Sequence, residues 1–202
     1  MREFGKELDG QQEEAIPGRG WYEWTYSIVE AVLIIIVVFT MVARVMGVQG
    51  PSMRQTLQHG DYMFVVSSLL VKDYERGDVV IARKESFSED PIVKRIIAVG
   101  GQTVDIDFSA GVVYVDGTAL EEDYINDLTY TYEGTDFPLT VPEGSYFLMG
   151  DNRNMSTDSR APSIGTVDER YLIGKAVLVL FPGPDSVTQK RDFSRIGLIN
   201  RG

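Results

Sequence analysis

Two residues of this chain sit in settings that suit catalysis. Ser52 lies in Gly50-Pro51-Ser52-Met53, just past an apolar run that ends near Met46. Lys94 lies in Asp90-Pro91-Ile92-Val93-Lys94-Arg95-Ile96-Ile97-Ala98-Val99-Gly100-Gly101, an otherwise apolar stretch. A serine hydroxyl is a poor nucleophile until a base takes its proton. A lysine can be that base only as the neutral amine, and an apolar surrounding favours the neutral form. The chemistry this pair suggests is hydrolysis with an amine as general base.

Each residue also has a plainer reading. A serine after Gly-Pro is commonly a solvated turn. Alternate strand residues share a face, so Ile92, Lys94, Ile96 and Ala98 are expected on one side. There Lys94 is either buried or reaches over an apolar patch to water. Burial lowers a lysine from ~10.4 by roughly 3 to 5 units when complete. A shift of about 2.4 units, on the order of 3 kcal/mol, brings it near pH 8.

A third segment is dense in hydrogen-bonding groups: Gly150-Asp151-Asn152-Arg153-Asn154-Met155-Ser156-Thr157-Asp158-Ser159-Arg160. It reads either as a polar surface loop or as a shell that holds the base. In the second reading Ser156 orients the amine and an Asp158–Arg160 pair braces the loop. His59, the lone histidine, lies between Gln58 and Gly60 and reads as a solvated turn residue. Arg76-Gly77-Asp78 reads as the turn into the Val79 strand.

The totals narrow the field. The 202 residues suit one compact domain, or one with a small appendage. A net charge of −11 argues against nucleic acid as a partner, because phosphates attract basic surfaces. The absence of cysteine removes disulfides and thiolate chemistry, and one histidine leaves little for zinc. The Asp151 loop places Arg153 and Met155 where an EF-hand wants oxygen ligands. No metal or organic cofactor is expected.

Residues 1–24 read as a disordered acidic tail ending in interfacial aromatics, Trp21 to Tyr26. Residues 25–47 read as a transmembrane signal anchor, since Ile28 to Val48 gives roughly 20 residues, about 30 Å of helix. A cleaved signal peptide and a buried core helix are the other readings of this run. Arginines on both sides leave the orientation open. After residue 47 the pattern turns to short apolar strands bounded by Gly-Asp pairs. Gly111 to Thr118 reads as a hairpin with Asp116-Gly117 as a type I′ turn. The expected organisation is a mainly β, antiparallel catalytic body over 48–103 and 144–185, with a small inserted subdomain at 104–143. Pro182-Gly183-Pro184 is expected to end the regular structure, and 186–202 to form a C-terminal tail.

Together these segments resemble bacterial type I signal peptidases, Ser-Lys enzymes of the membrane, and in particular the single-span Gram-positive type. Ser52-Met53-Arg54-Gln55-Thr56-Leu57 with Gly60-Asp61 resembles the nucleophile box, and Arg76-Gly77-Asp78-Val79-Val80 the box that follows. Lys94 to Gly101 resembles the lysine box. Gly150-Asp151-Asn152-Arg153 with Ser156, Asp158, Ser159 and Arg160 resembles the last. The resemblance implies the antiparallel β body that signal peptidases share with the self-cleaving SOS-repressor peptidases. It implies Ser52 as nucleophile and Lys94 as base, with Ser156, Asp158 and Arg160 in support. It implies that Val48, Met53, Leu57, Ile92 and Val93 line small substrate pockets. It further implies signal peptides of secretory preproteins and the lipid bilayer as partners, and a single-pass protein whose catalytic part is extracytoplasmic. Gln55 stands where the family usually has proline, Gln102 where it usually has aspartate, and Asn154-Met155 where it has an Asp-Asn pair, while Gly50 matches only some members. Two rivals remain. A repressor-type peptidase would carry a DNA-binding segment where this chain has an apolar span. A non-catalytic membrane-tethered β protein that binds peptides or assembles envelope components would not need Ser52 and Lys94 together.

Overall fold

The computed structural model of the protein describes residues 19–83, 90–185 and 188–200. They form one long helix and a β body, two compact units that divide at Val38 and Phe39.

Helix α1 spans Arg19–Met41, and its stretch from Gly20 to Met41 is long and apolar enough to cross a membrane. Its aliphatic side chains are exposed on every side, which suits lipid rather than a protein core. The helix therefore starts and ends earlier than the expected span. Trp21 to Tyr26 belong to its first turns and not to a disordered tail, and the rest of that expected tail, residues 1–18, lies outside the described residues. Ala43–Gly47 is a strand, β1, that pairs antiparallel with β2 (Tyr62–Ser67). The apolar run continues past Met41, but the ladder with β2 claims its last residues.

The remaining strands are β3 (Val79–Ala82), β4 (Ile92–Val99), β5 (Thr103–Asp107), β6 (Val112–Val115), β7 (Thr118–Ala119), β8 (Leu139–Thr140), β9 (Ser145–Met149), β10 (Val167–Asp168), β11 (Leu172–Phe181) and β12 (Gly197–Leu198). The larger sheet has the order β1-β2-β11-β3-β4-β9-β10, and β12 pairs with β11. The smaller has the order β7-β6-β5-β8 and occupies the stretch expected to be an insert. All the pairings are antiparallel. The hairpin turn falls where the Asp-Gly signal put it. Asp116 and Gly117 both have positive φ, 52° and 75°, as a type I′ turn requires.

Central strands are covered on both faces, which is why they read as continuous apolar runs. Val79 and Ile81 of β3 enter one core cluster with Val48, Met53, Leu57 and Met63, while Val80 and Ala82 enter a second with Ile96 and Leu148. Phe147 and Met149 of β9 join a third cluster with Val104, Val113 and Val115, which fixes the small sheet to the large one. The alternation expected for Ile92, Lys94 and Ile96 holds. It fails at Ala98, because an irregularity between Ile96 and Ala98 turns Ile97 and Ala98 into the same cluster.

The regular structure does not end at Pro184. Strand β12 pairs with Leu178 and Val179, and Arg195 forms an ion pair with the buried Asp61 at 2.6 Å. Of the expected tail, residues 188–200 are part of the body, and 186–187 and 201–202 lie outside the described residues.

Candidate active site

Strand β4 carries Lys94 and Arg95 on opposite faces, as neighbours in a strand must be. Lys94 is 4% exposed. Its Nζ lies 2.8 Å from Ser52 Oγ, within hydrogen-bond reach. Ser52 itself is half-buried, in a series of turns between β1 and β2. Those turns are pinned from inside: Met53 and Leu57 are buried in the first core cluster, and Leu57 N–H donates to the Met53 carbonyl at 2.8 Å. Burial pushes the Lys94 amine below the ordinary lysine value, the largest effect on it. Asp158, Glu133 and Asp151 pull it back up, and Arg160 pushes it down again.

The loop after β9 closes on this pair. Gly150 lies so near Ser52 and Ser156 that a Cβ there would stand 2.2 Å from Ser156 Oγ and 2.5 Å from the Ser52 carbonyl oxygen. Only glycine allows that approach. Asn152 N–H donates to the Ser52 carbonyl at 3.0 Å, and its side chain donates to the Pro51 carbonyl at 3.0 Å. The nucleophile-box turn and the loop are thereby laced together.

Asp158 and Arg160 form a buried two-point ion pair, both contacts at 2.8 Å. Asp158 Oδ2 also accepts from the Gly150 N–H and the Ser156 hydroxyl, each at 2.9 Å. Ser156 thus points to Asp158, and among the described residues no hydrogen bond joins it to Lys94. Arg160 also donates to the carbonyls of Thr131, Arg153 and Ser156.

The expected pocket residues divide. Val48, Met53 and Leu57 are core residues, 3%, 1% and 0% exposed, whereas Ile92 and Val93, beside Lys94, are half-buried. His59 is exposed and accepts the Gly50 N–H at Nδ1, 3.3 Å away.

Several residues of this region escaped the sequence reading. Arg95 grips Asp151 with two contacts of 2.8 Å, Thr56 donates to the same carboxylate at 2.5 Å, and the Tyr124 ring stacks 3.9 Å from the Arg95 guanidinium. Arg153 pairs with Glu122 across the two sheets, and Glu133 reaches Asp158 and Arg160. A charged residue inside an apolar run is the signal that could have marked Arg95. Nothing local marks its partner, 56 residues on.

Three of the departures from the family pattern have structural accounts, and nothing in the structure explains the fourth, the exposed Met155. Gln55 has φ 101°, which proline cannot adopt. Gln102 accepts the Val99 N–H and donates to Asp116 at 2.9 Å, a bond that a carboxylate there could not give. Asn154 accepts from Tyr130 and Thr131 and donates to the Leu128 carbonyl, tying the loop to the small sheet's last connection.

Residues 21–181 match the family model described as "Signal peptidase, peptidase S26". The chain belongs to this family of signal peptidases. Among its relatives, signal peptidase I of Bacillus licheniformis is 33% identical over 80% of this chain and 89% of its own length. A probable signal peptidase I-2 of Synechocystis is 35% identical over 86% of this chain and 79% of its own. Signal peptidase I T of Bacillus subtilis is 34% identical over 80% and 86%. A solved signal peptidase I from Enterococcus faecalis is 31% identical, covering 52% of this chain and 97% of that one, with a TM-score of 0.42. With an apolar helix at its N-terminal end, this peptidase is a membrane-anchored member of the family.

Proposed function

We propose that Ser52 and Lys94 are the nucleophile and general base with which this signal peptidase removes signal peptides from exported preproteins. The observation that carries the reading is the 2.8 Å contact between Lys94 Nζ and Ser52 Oγ at a buried amine. Neutral Lys94 takes the Ser52 proton as Oγ attacks the carbonyl after the cleavage site. Lys94 then protonates the leaving amine, and in the second half it activates the water that releases the acyl group. In this reading the Ser52 backbone N–H, which has no acceptor among the described residues, donates to the developing oxyanion. Asp158 and Arg160 hold the loop, and Ser156 acts through Asp158. Ile92 and Val93 wall the pockets for the residues before the cut, Val93 backed by the cluster of Val48, Met53 and Leu57 and Ile92 by that of Val80 and Ile96. The catalytic part faces the extracytoplasmic side, where the cleavage sites of exported chains emerge.

The test is incubation of the purified protein with a preprotein, followed by sequencing of the new N-terminus. Ser52→Ala and Lys94→Ala should each reduce cleavage by roughly 10³-fold or more while remaining folded. His59→Ala should stay active, since its ring serves the Gly50 turn. Normal turnover by folded Lys94→Ala protein would rule the dyad out.

A further inference from the structure

A cavity of about 520 Å³ opens beside Ser156, between the segment around Thr131 and the loop after β9. Its walls include Thr131, Glu133, Ser156 and Thr157, and Glu133 is the one ionisable residue among them. Glu133 is incompletely satisfied. Its Oε2 accepts the Asp158 N–H at 3.2 Å, but its Oε1 has only a 3.5 Å contact with Arg160. The Arg160 nitrogen that faces Glu133, Nη2, already donates to Asp158 and to the carbonyls of Arg153 and Ser156. Burial and the neighbouring Asp158 both push the Glu133 carboxyl up, as expected of an acid short of a cation.

The charge balance points the same way. The carboxylates of Asp158 and Glu133 face the single guanidinium of Arg160, while Asp151 is matched by Arg95. When Lys94 is neutral, as its role as base requires, this cluster holds one negative charge in excess. The excess lies on the wall of an open cavity lined by Ser156, and a Cβ on Gly150 would stand 2.2 Å from Ser156 Oγ and 2.5 Å from the Ser52 carbonyl oxygen, so the cavity lies a short way from the reacting serine.

We propose that this cavity is a subsite for a cationic side chain of the substrate, received by Glu133. The inference rests on the signal-peptidase reading, which also says where the cation comes from. The stretch before the cut is apolar, and its pockets are walled by aliphatic side chains, where an unpaired charge is costly to desolvate. The lysine or arginine is therefore one of the first residues of the mature chain, after the cut.

The experiment uses three preprotein peptides that differ only at the second residue after the cut: lysine, glutamine or glutamate. The full chain in detergent should cleave the lysine peptide with a kcat/KM about fivefold above the glutamate peptide, the upper range for a partly exposed ion pair, with the difference in KM. Glu133→Gln should bring that ratio close to one. The ratio is unaffected by any uniform loss the variant suffers. Thr157→Lys, at an exposed wall position, should reverse the preference towards glutamate. A wild-type ratio near one, or a preference that survives Glu133→Gln, overturns the subsite. Ser52-dependent cleavage of the glutamine peptide, measured in the same series, reports separately on the peptidase reading.

Discussion

A buried amine that works as a base carries a cost to the fold, and its sign follows from linkage. Burial lowers the Lys94 pKa below 10.5. Between the folded and unfolded values the unfolded chain binds more protons, so stability rises with pH across that window. Below the window the folded protein bears the whole penalty. Lys94→Met keeps the bulk and drops the charge. It should abolish turnover yet raise the melting temperature at neutral pH, with the gain shrinking as pH climbs towards 10.5. Melting curves that coincide at every pH would contradict the burial of a net-disfavoured charge. In the active protein, kcat/KM should fall on the acidic side as Lys94 takes up a proton, with a midpoint well below the ordinary lysine value. A second residue holds its conformation at a cost. Gln55 sits at φ 101°, a region that side chains with a Cβ adopt only under strain. Gln55 Nε2 donates to Asn126 Oδ1, and comparing Gln55→Gly with Gln55→Ala removes that bond from both. The glycine variant should be more stable by about 1 kcal/mol in denaturant melts. Its φ lies outside what the sequence alone could indicate, since the nucleophile box resembles one in which proline is usual at this position.

At the scale of elements, β4 is fixed through the residue after Lys94. Arg95 is fully buried, donates to Asp151 and to the carbonyls of Gly77 and Asn200, and so ties β4 to the loop after β9 and to the C-terminal segment. Arg95→Met would leave Asp151 charged and unpaired in the interior, which costs roughly 3 to 5 kcal/mol. Adding Asp151→Asn removes that charge and leaves Thr56 an acceptor, so the double variant should recover a large part of the loss. Chemical denaturation of the two variants checks this, and a double variant no better than the single would mean that Asp151 is not the group left uncompensated. This lock also shows what was legible. The strands were readable because alternation and Gly-Asp boundaries are local signals, and the Asp116-Gly117 turn because its backbone needs those residue types. The Ser52–Lys94 approach was inferable from two boxes far apart in the chain. The ion pairs that hold the site were not, because Arg95–Asp151, Arg153–Glu122 and Arg195–Asp61 join residues whose separation carries no periodic signature. The end of the helix was misplaced for a related reason. Val42 to Met46 is as apolar as the helix before it except at Arg44, and only the partner strand β2 decides that Ala43–Gly47 is extended.

For the molecule as a whole, the boundary between anchor and body is the consequence most open to test. The apolar run ends near Met46, and cutting there to obtain a soluble body follows naturally from the sequence. The pairing shows why that cut is wrong. Five consecutive residues of β1 are in register with β2, from Ala43 opposite Val66 to Gly47 opposite Tyr62. The ladder extends one step further, with Ser67 N–H donating to the Val42 carbonyl at 3.0 Å. Strand β2 in turn lies between β1 and β11, so removing β1 turns a central strand into an edge. A bare edge of unpaired N–H and C=O groups is a template for aggregation. It would also carry the aliphatic side chains of β2 and loosen the start of the Ser52 turns, since Val48 N–H donates to the Asp61 carbonyl at 2.8 Å. A fragment of residues 42–202 should therefore be monomeric in mild detergent and cleave a short peptide substrate. A fragment of residues 48–202 should melt at least several degrees lower, associate on storage and lose most of its activity. Size-exclusion chromatography, thermal melts and peptide cleavage on the two fragments decide the matter. Equal stability and activity would show that β1 contributes nothing to the body, and that the break between anchor and enzyme lies at residue 47 after all.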